Sequence, residues 1–197
     1  MRSDISPYLL AAALALAPLP QAFAAPQAAV APTPAPSRFS VAVTGEGPDV
    51  ILIPGLASSA SVWTPTVERL KSHYRLHVIQ VAGFAGAPAR ANASGPVLAP
   101  LVEEIHDYIV ASRLSKPAII GHSLGGLAAL MLAAAHGDEV GKVMIVDSLP
   151  WFGLMFGPMA SLDSVKAQGA QLRDAMIAGG QEKYAASVPR SMATLVL

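Results

Sequence analysis

Six consecutive residues could carry chemistry together: Gly121-His122-Ser123-Leu124-Gly125-Gly126. A serine with glycines two positions before and after it, G-x-S-x-G, is the nucleophile-elbow pattern when it joins a strand to a helix. The flanking segments suit that reading. Pro117-Ala118-Ile119-Ile120 is a short apolar run that reads as a buried strand, and Leu127 to Ala135 is an alanine-rich run that reads as a helix. Such a turn holds the serine backbone in a strained conformation, and side chains at the flanking glycines would crowd it. The hydroxyl then sits at a helix N-terminus, where unpaired N–H groups and the helix dipole favour negative charge. Acyl transfer needs that arrangement, a nucleophile beside donors for a developing oxyanion. The bare pattern also arises by chance, as a glycine-rich turn with an unreactive serine. The strand, the helix and the additional Gly126, which lets the two pack closely, set this instance apart.

Holding that turn requires a sheet, and the chain supplies one. Phe39-Ser40-Val41-Ala42-Val43 alternates and predicts a strand with one solvated face. Gly45 to Pro48 turns into a second strand, Asp49 to Ile53. In the loop from Leu56 to Ser61, Ser58, Ser59 and Ser61 read as turn and capping residues. A helix follows over about Val62 to His73, with Val62, Val67 and Leu70 on one face and Trp63 either lining a cleft or, the favoured role, packing into the core. Leu76 to Val81 predicts a buried strand that ends in the glycine loop Gly83-Phe84-Ala85-Gly86. Leu98 to Leu114 predicts an amphipathic helix whose Glu103, Glu104 and Asp107 form the solvated face. Val143 to Asp147 reads as another buried strand. Strands alternating with helices point to an α/β fold with a parallel sheet and right-handed crossovers.

On these motifs the chain resembles an α/β-hydrolase from about Arg38 to beyond Trp151. Val50-Ile51-Leu52-Ile53-Pro54-Gly55-Leu56 is similar to the strand and His-Gly-x turn of that family, with Pro54 where many members have histidine. The resemblance implies Ser123 as nucleophile, an oxyanion hole from the backbone N–H groups of Leu56 and Leu124, and an elbow built by Gly121, His122, Gly125 and Gly126. It implies a small apolar or ester-like substrate and no metal or organic cofactor. Phe84, Trp151 and Phe152 are candidate pocket walls. The aromatic, Met-rich stretch from Leu149 to Pro158 reads as the start of a helical cap. The implied activity is that of a serine hydrolase, esterase- or lipase-like, on an ester or activated acyl group. An acyltransferase or cofactor-free perhydrolase on the same fold stays open, as does a non-catalytic remnant or binding module.

In this family the chain order is serine, acid, histidine. The histidine takes the serine proton and the acid orients it. The chain has five histidines, His73, His77, His106, His122 and His136, and none is suitably placed. His122 adjoins Ser123 inside the elbow and points elsewhere. His136 lies 13 residues into the following helix, which at 1.5 Å per residue puts it roughly 20 Å away. His73 and His77 are expected near the opposite sheet edge and His106 in mid-helix, as structural or solvated groups. Asp147, at the end of a strand on the catalytic edge, is a fallback acid. The expectation is therefore an incomplete hydrolase fold, lacking its last strands and catalytic histidine and inactive as it stands.

Composition bounds the rest. The 197 residues carry no net charge and no cysteine. Neutrality provides no electrostatic footprint for nucleic acid, and the absence of thiols excludes disulfides, thiol catalysis and a lipoprotein anchor. Residues 1–24 read as a signal peptide: Arg2 near the start, an apolar run from Leu9 to Leu19, and Ala22-Phe23-Ala24 as a cleavage site. Pro18 and Pro20 argue against a stable membrane anchor. Residues 25–37 are a Pro/Ala-rich linker, 38–148 the α/β core and 149–197 the cap segment. An exported protein, periplasmic or secreted, is expected. Nothing in the sequence sets an oligomeric state.

Overall fold

Period-2 alternation in the strand segments sets two faces for a sheet, and both are covered. The computed structural model describes residues 35–151, 153, 157–171 and 174. The expected signal peptide, the linker up to residue 34 and Phe152 lie outside the described residues, as do 154–156 and the chain from 175 on. The elements are β1 (Phe39–Thr44), β2 (Asp49–Ile53), α1 (Thr64–Leu70), β3 (Arg75–Val81), α2 (Leu98–Ala111), β4 (Ala118–His122), α3 (Leu124–Ala135) and β5 (Lys142–Val146). Residues 162–171 are also helical. The sheet runs β1-β3-β2-β4-β5, with β1 antiparallel to β3 and every other pairing parallel.

Ile51, Ile53, Ile79, Val81 and Ile119 pack with Leu101, Val102, Ile105 and Ile109 of α2 and with Ala128, Ala129 and Leu132 of α3. The alternate residues Val50, Leu52, Leu76 and Val78 pack with Trp63 and, at the rim, with Val67 and Leu70. Coverage on both faces explains why β2 and β3 read as continuous apolar runs. The start of the domain is tied to α2. Glu104 accepts from the backbone N–H groups of Ser37, at 2.8 Å, and Arg38, at 2.6 Å. Glu104 thus anchors the chain instead of lying on a purely solvated face.

Three elements depart from expectation. The helix predicted from Val62 begins as a 3₁₀ turn at Ala60–Trp63 and becomes α-helical only at Thr64. Pro65 explains the restart: its fixed φ and missing N–H suit the first helical turn. β5 was expected to be buried, yet Met144 is 58% exposed. Among the described residues β5 pairs only with β4, and apolar composition does not distinguish a central strand from an edge. His77 does not lie at a sheet edge. It is 3% exposed within β3, with Nδ1 2.6 Å from the Tyr108 hydroxyl and Nε2 2.9 Å from Asp49. Burial raises the Tyr108 pKa, which keeps the phenol protonated. His77 Nε2–H donates to the Asp49 carboxylate, which can only accept. Arg75 completes the network with a two-pronged bond to the same carboxylate, at 2.6 and 3.1 Å.

Candidate active site

β4 ends at His122 and α3 begins at Leu124, so Ser123 alone makes the turn. Its backbone has φ 51° and ψ −118°. A non-glycine residue in so sparsely populated a region costs about 1–3 kcal/mol and persists only when its surroundings over-determine it. Those surroundings are visible. The Ser123 N–H donates to the Val146 carbonyl of β5 at 2.9 Å, and its own carbonyl accepts from Gly126 N–H at 2.9 Å and Leu127 N–H at 3.2 Å. The glycines permit the approach. A Cβ at Gly125 would fall on the Ile53 carbonyl oxygen and lie 2.6 Å from that of Pro54. A Cβ at Gly121 would fall on the Gly125 carbonyl, and one at Gly126 would lie 2.7 Å from Ser148 Cβ. The start of α3 therefore sits directly on the backbone at the end of β2.

That contact assembles the donors. Leu124 is the first residue of α3, and its N–H lies outside the helical ladder. Gly55 is buried, and a Cβ there would stand 3.3 Å from Ser123 Cβ and 3.0 Å from His122 Nδ1. The turn that carries the Leu56 N–H is thereby held alongside the serine. Ser58 N–H closes the turn onto the Gly55 carbonyl at 3.2 Å. Pro54 keeps its backbone carbonyl against Gly125, so loss of a histidine at that position leaves the turn in place. Sequence reasoning missed the role of Gly55 in this packing, although a glycine directly after the β2 strand was its signal.

The other candidates are more dispersed. Phe84 is half-buried against the α2–α3 side of the core, with its N–H bonded to the Val81 carbonyl at 3.2 Å. Trp151 is partly exposed, and its indole lies over Gly153. Asp147 follows β5 with φ 47° and an exposed side chain that makes no hydrogen bond or ion pair among the described residues. The adjoining Ser148 hydroxyl is buried without a partner among the described residues. No histidine is hydrogen-bonded to Ser123: His122 packs against Gly55, His73 meets Ser72, His77 meets Asp49 and Tyr108, and His136 meets Glu103. His106 pairs with Glu139. Leu56, in the turn after β2, is 61% exposed. Clefts of about 810 and 860 Å³ lie elsewhere, one along α2 and one by Leu70, Lys116 and Met144. The structure brings together the Ser123 turn, the first residue of α3 and the turn that follows β2.

The α/β hydrolase fold family matches residues 48–176. The chain belongs to this family. As an α/β-hydrolase-fold chain it is 37% identical over 108 residues to a pimeloyl-[acyl-carrier protein] methyl ester esterase of Vibrio vulnificus, covering 55% of this chain and 40% of that protein. An enzyme of the same name from Aeromonas salmonicida is 36% identical over 113 residues, covering 57% and 42%. The chain thus spans about two fifths of the length of the curated relatives it matches. Among solved structures, a marine microorganism esterase superposes with a TM-score of 0.57 at 22% identity, covering 81% of this chain and 62% of that one. An esterase from Exiguobacterium antarcticum superposes with a TM-score of 0.51 at 23% identity, covering 56% and 41%. At such identities the likeness is one of fold. No helix among the described residues is long and apolar enough to cross a membrane.

Proposed function

We propose that this hydrolase-fold chain carries the nucleophile and oxyanion part of an esterase site. The observation that carries the proposal is the Ser123 backbone at φ 51°, ψ −118°, held between β4, β5 and three close-packed glycines. In this reading the Ser123 hydroxyl oxygen attacks the ester carbonyl and its proton passes to a general base. The N–H groups of Leu124 and Leu56 take up the charge on the tetrahedral intermediate. The C–O bond to the alcohol breaks, the alcohol leaves with the proton, and water hydrolyses the acyl-serine. The base is a histidine that the described residues do not supply, with Asp147 as a candidate acid.

The relatives' names support a carboxylic ester of a small alcohol on an acyl chain as the substrate class. Leu56, Phe84, Trp151 and Phe152 would line the acyl side, and the segment from residue 149 would form a cap. The N-terminal pattern supports export with cleavage after Ala24. N-terminal sequencing of exported protein should then start at Ala25, and an intact Met1 would count against it. Acyl transfer to alcohols or peroxide is the second reading on this fold, and product analysis with water, alcohol and peroxide as acceptors separates the two. The test of the nucleophile is a fluorophosphonate probe read by peptide mass, on the protein together with whatever chain supplies its histidine. Modification at Ser123 that vanishes in Ser123→Ala is expected. Modification that survives that substitution would overturn the assignment.

A further inference from the structure

We propose a binding site for a divalent transition-metal ion of the zinc class at the junction of α2 and α3, built from Glu103, His106, His136 and Glu139. Sequence reading implied no metal, because these residues are 33 positions apart in two clusters. Glu103 and His106 stand at i and i+3 on α2 and so share one helix face. His136 is the C-cap of α3, its N–H bonded to the Leu132 carbonyl at 2.8 Å. The Glu139 N–H then bonds back to the His136 carbonyl at 3.0 Å, folding His136 and Glu139 into one turn. Each side thus contributes one imidazole and one carboxylate.

The four groups meet crosswise. His136 Nε2 lies 3.2 Å from Glu103 Oε2, and His106 Nε2 lies 3.0 Å from Glu139 Oε2. The two imidazoles stack at 3.7 Å with an interplanar angle of 11°. One ligand atom each from Glu103, His106 and His136 all fall within 4.8 Å of one another. Zinc bonds of about 2.1 Å place tetrahedral ligands roughly 3.4 Å apart, so closure asks the two stacked imidazoles to turn until both ring planes contain the ion and asks Glu139 to swing in as the fourth ligand. Two imidazole nitrogens and two carboxylate oxygens suit zinc, copper or nickel, and not the oxygen-only preference of magnesium or calcium. The two glutamates balance a 2+ ion.

The platform is rigid and reachable. Beneath the cluster, Val102, Ile105 and Leu132 are buried in one core, while the His106 and His136 side chains are each about a fifth exposed. His136 stands 13 residues beyond Ser123, roughly 20 Å along α3, so the metal would clip two helices together and take no part at the serine. The inference is independent of the proposed esterase activity.

The test is zinc titration of EDTA-treated, untagged full-length chain in competition with a chromophoric chelator. Cobalt absorption serves as a second readout of nitrogen and oxygen ligation. One equivalent of zinc is expected, with affinity falling by at least about a hundredfold in His106→Gln or His136→Gln, since loss of a direct ligand costs no less than the tenfold to hundredfold seen for partners that only support the ligands. His73→Gln should change nothing. Saturating zinc should raise Tm by several degrees in the wild type and not in His106→Gln/His136→Gln. Circular dichroism confirms that the variants are folded. Equal zinc affinity in the wild type and the folded double variant would overturn the site, and so would a wild type that binds none.

Discussion

Replacing Gly125 with alanine tests the elbow's packing most directly. The added Cβ would overlap the Ile53 carbonyl oxygen and lie 2.6 Å from the Pro54 carbonyl, where ordinary contact begins at 3.4 Å. Both obstacles are backbone in a buried segment, so no side chain can swing aside. The N-terminus of α3 must withdraw from β2, and overpacking of this kind costs about 1–3 kcal/mol, occasionally more. Alanine returns about 1 kcal/mol in helix propensity, leaving a net loss of up to about 2 kcal/mol. Gly169→Ala is the control. Gly169 lies within helical residues 162–171 with nothing within 4 Å of its added Cβ, so it gains the propensity without the clash. The two variants should therefore differ by the overpacking cost itself, about 1–3 kcal/mol.

Urea unfolding followed by circular dichroism reads this difference as a shift in midpoint at constant slope. A net loss at the upper end, about 2 kcal/mol, corresponds to a Tm drop of roughly 4–8 °C for a chain of this size. Wherever Ser123 turns over an ester, Gly125→Ala should also lower kcat by about a hundredfold, because the Leu124 donor moves with the helix. If Gly125→Ala and Gly169→Ala agree within about 0.5 kcal/mol, less than the smallest overpacking cost, the close approach of α3 to β2 is refuted.

Three further outcomes follow from the same geometry. Ser123→Gly removes the strain at φ 51° and should raise stability by about 1 kcal/mol after glycine's greater chain entropy is subtracted, measured by urea midpoint. Ser148→Ala removes a buried hydroxyl without a partner and should be neutral or stabilising by up to about 1 kcal/mol, so a large loss would reveal a hidden hydrogen bond. For Asp49, burial pushes the carboxyl pKa up, but the hydrogen bonds and charges of Arg75 and His77 outweigh it and hold the group below its ordinary value. Its contribution is present above the unfolded value of about 3.9 and is lost as pH falls below that. Asp49→Asn should cost about 2 kcal/mol at neutral pH and flatten the fall in stability below pH 4, and an unchanged acid limb would refute the network.

Local periodicity carried most of the fold. Strands β2, β3 and β4, helix α2 and the turn at Ser123 all follow from alternation, 3.6-residue spacing and glycine placement within windows of a dozen residues. What escaped depends on partners far along the chain. His77 sits in a run, Leu76-His77-Val78-Ile79, that says nothing of Asp49 at 28 positions or Tyr108 at 31. Glu104 reads as solvated until the chain at Ser37 folds back onto it across 67 positions. The exposure of β5 is likewise a matter of sheet order, and Val143-Met144-Ile145-Val146 would look the same in a central strand.

The same distinction governs the site. Ser123 and Leu124 were read from one short pattern, and that pattern makes the strand-to-helix turn seen between β4 and α3. Leu56 was read only by resemblance, because the turn after β2 meets the Ser123 turn through strand pairing and not through sequence proximity. The physical link is the pairing of Leu52 with Ile120 and Ile53 with Gly121, which brings the ends of β2 and β4 level. Once the two strands end together, the residues after each must share one space, and glycine at 121 and 125 lets the backbones do so, while glycine at 55 leaves room for the His122 and Ser123 side chains. The glycines are therefore the part of the site that a single sequence states most fully. The histidine that the proposed mechanism needs has no such local mark. That is why five histidines could be set aside one by one on distance and direction without the base itself being found.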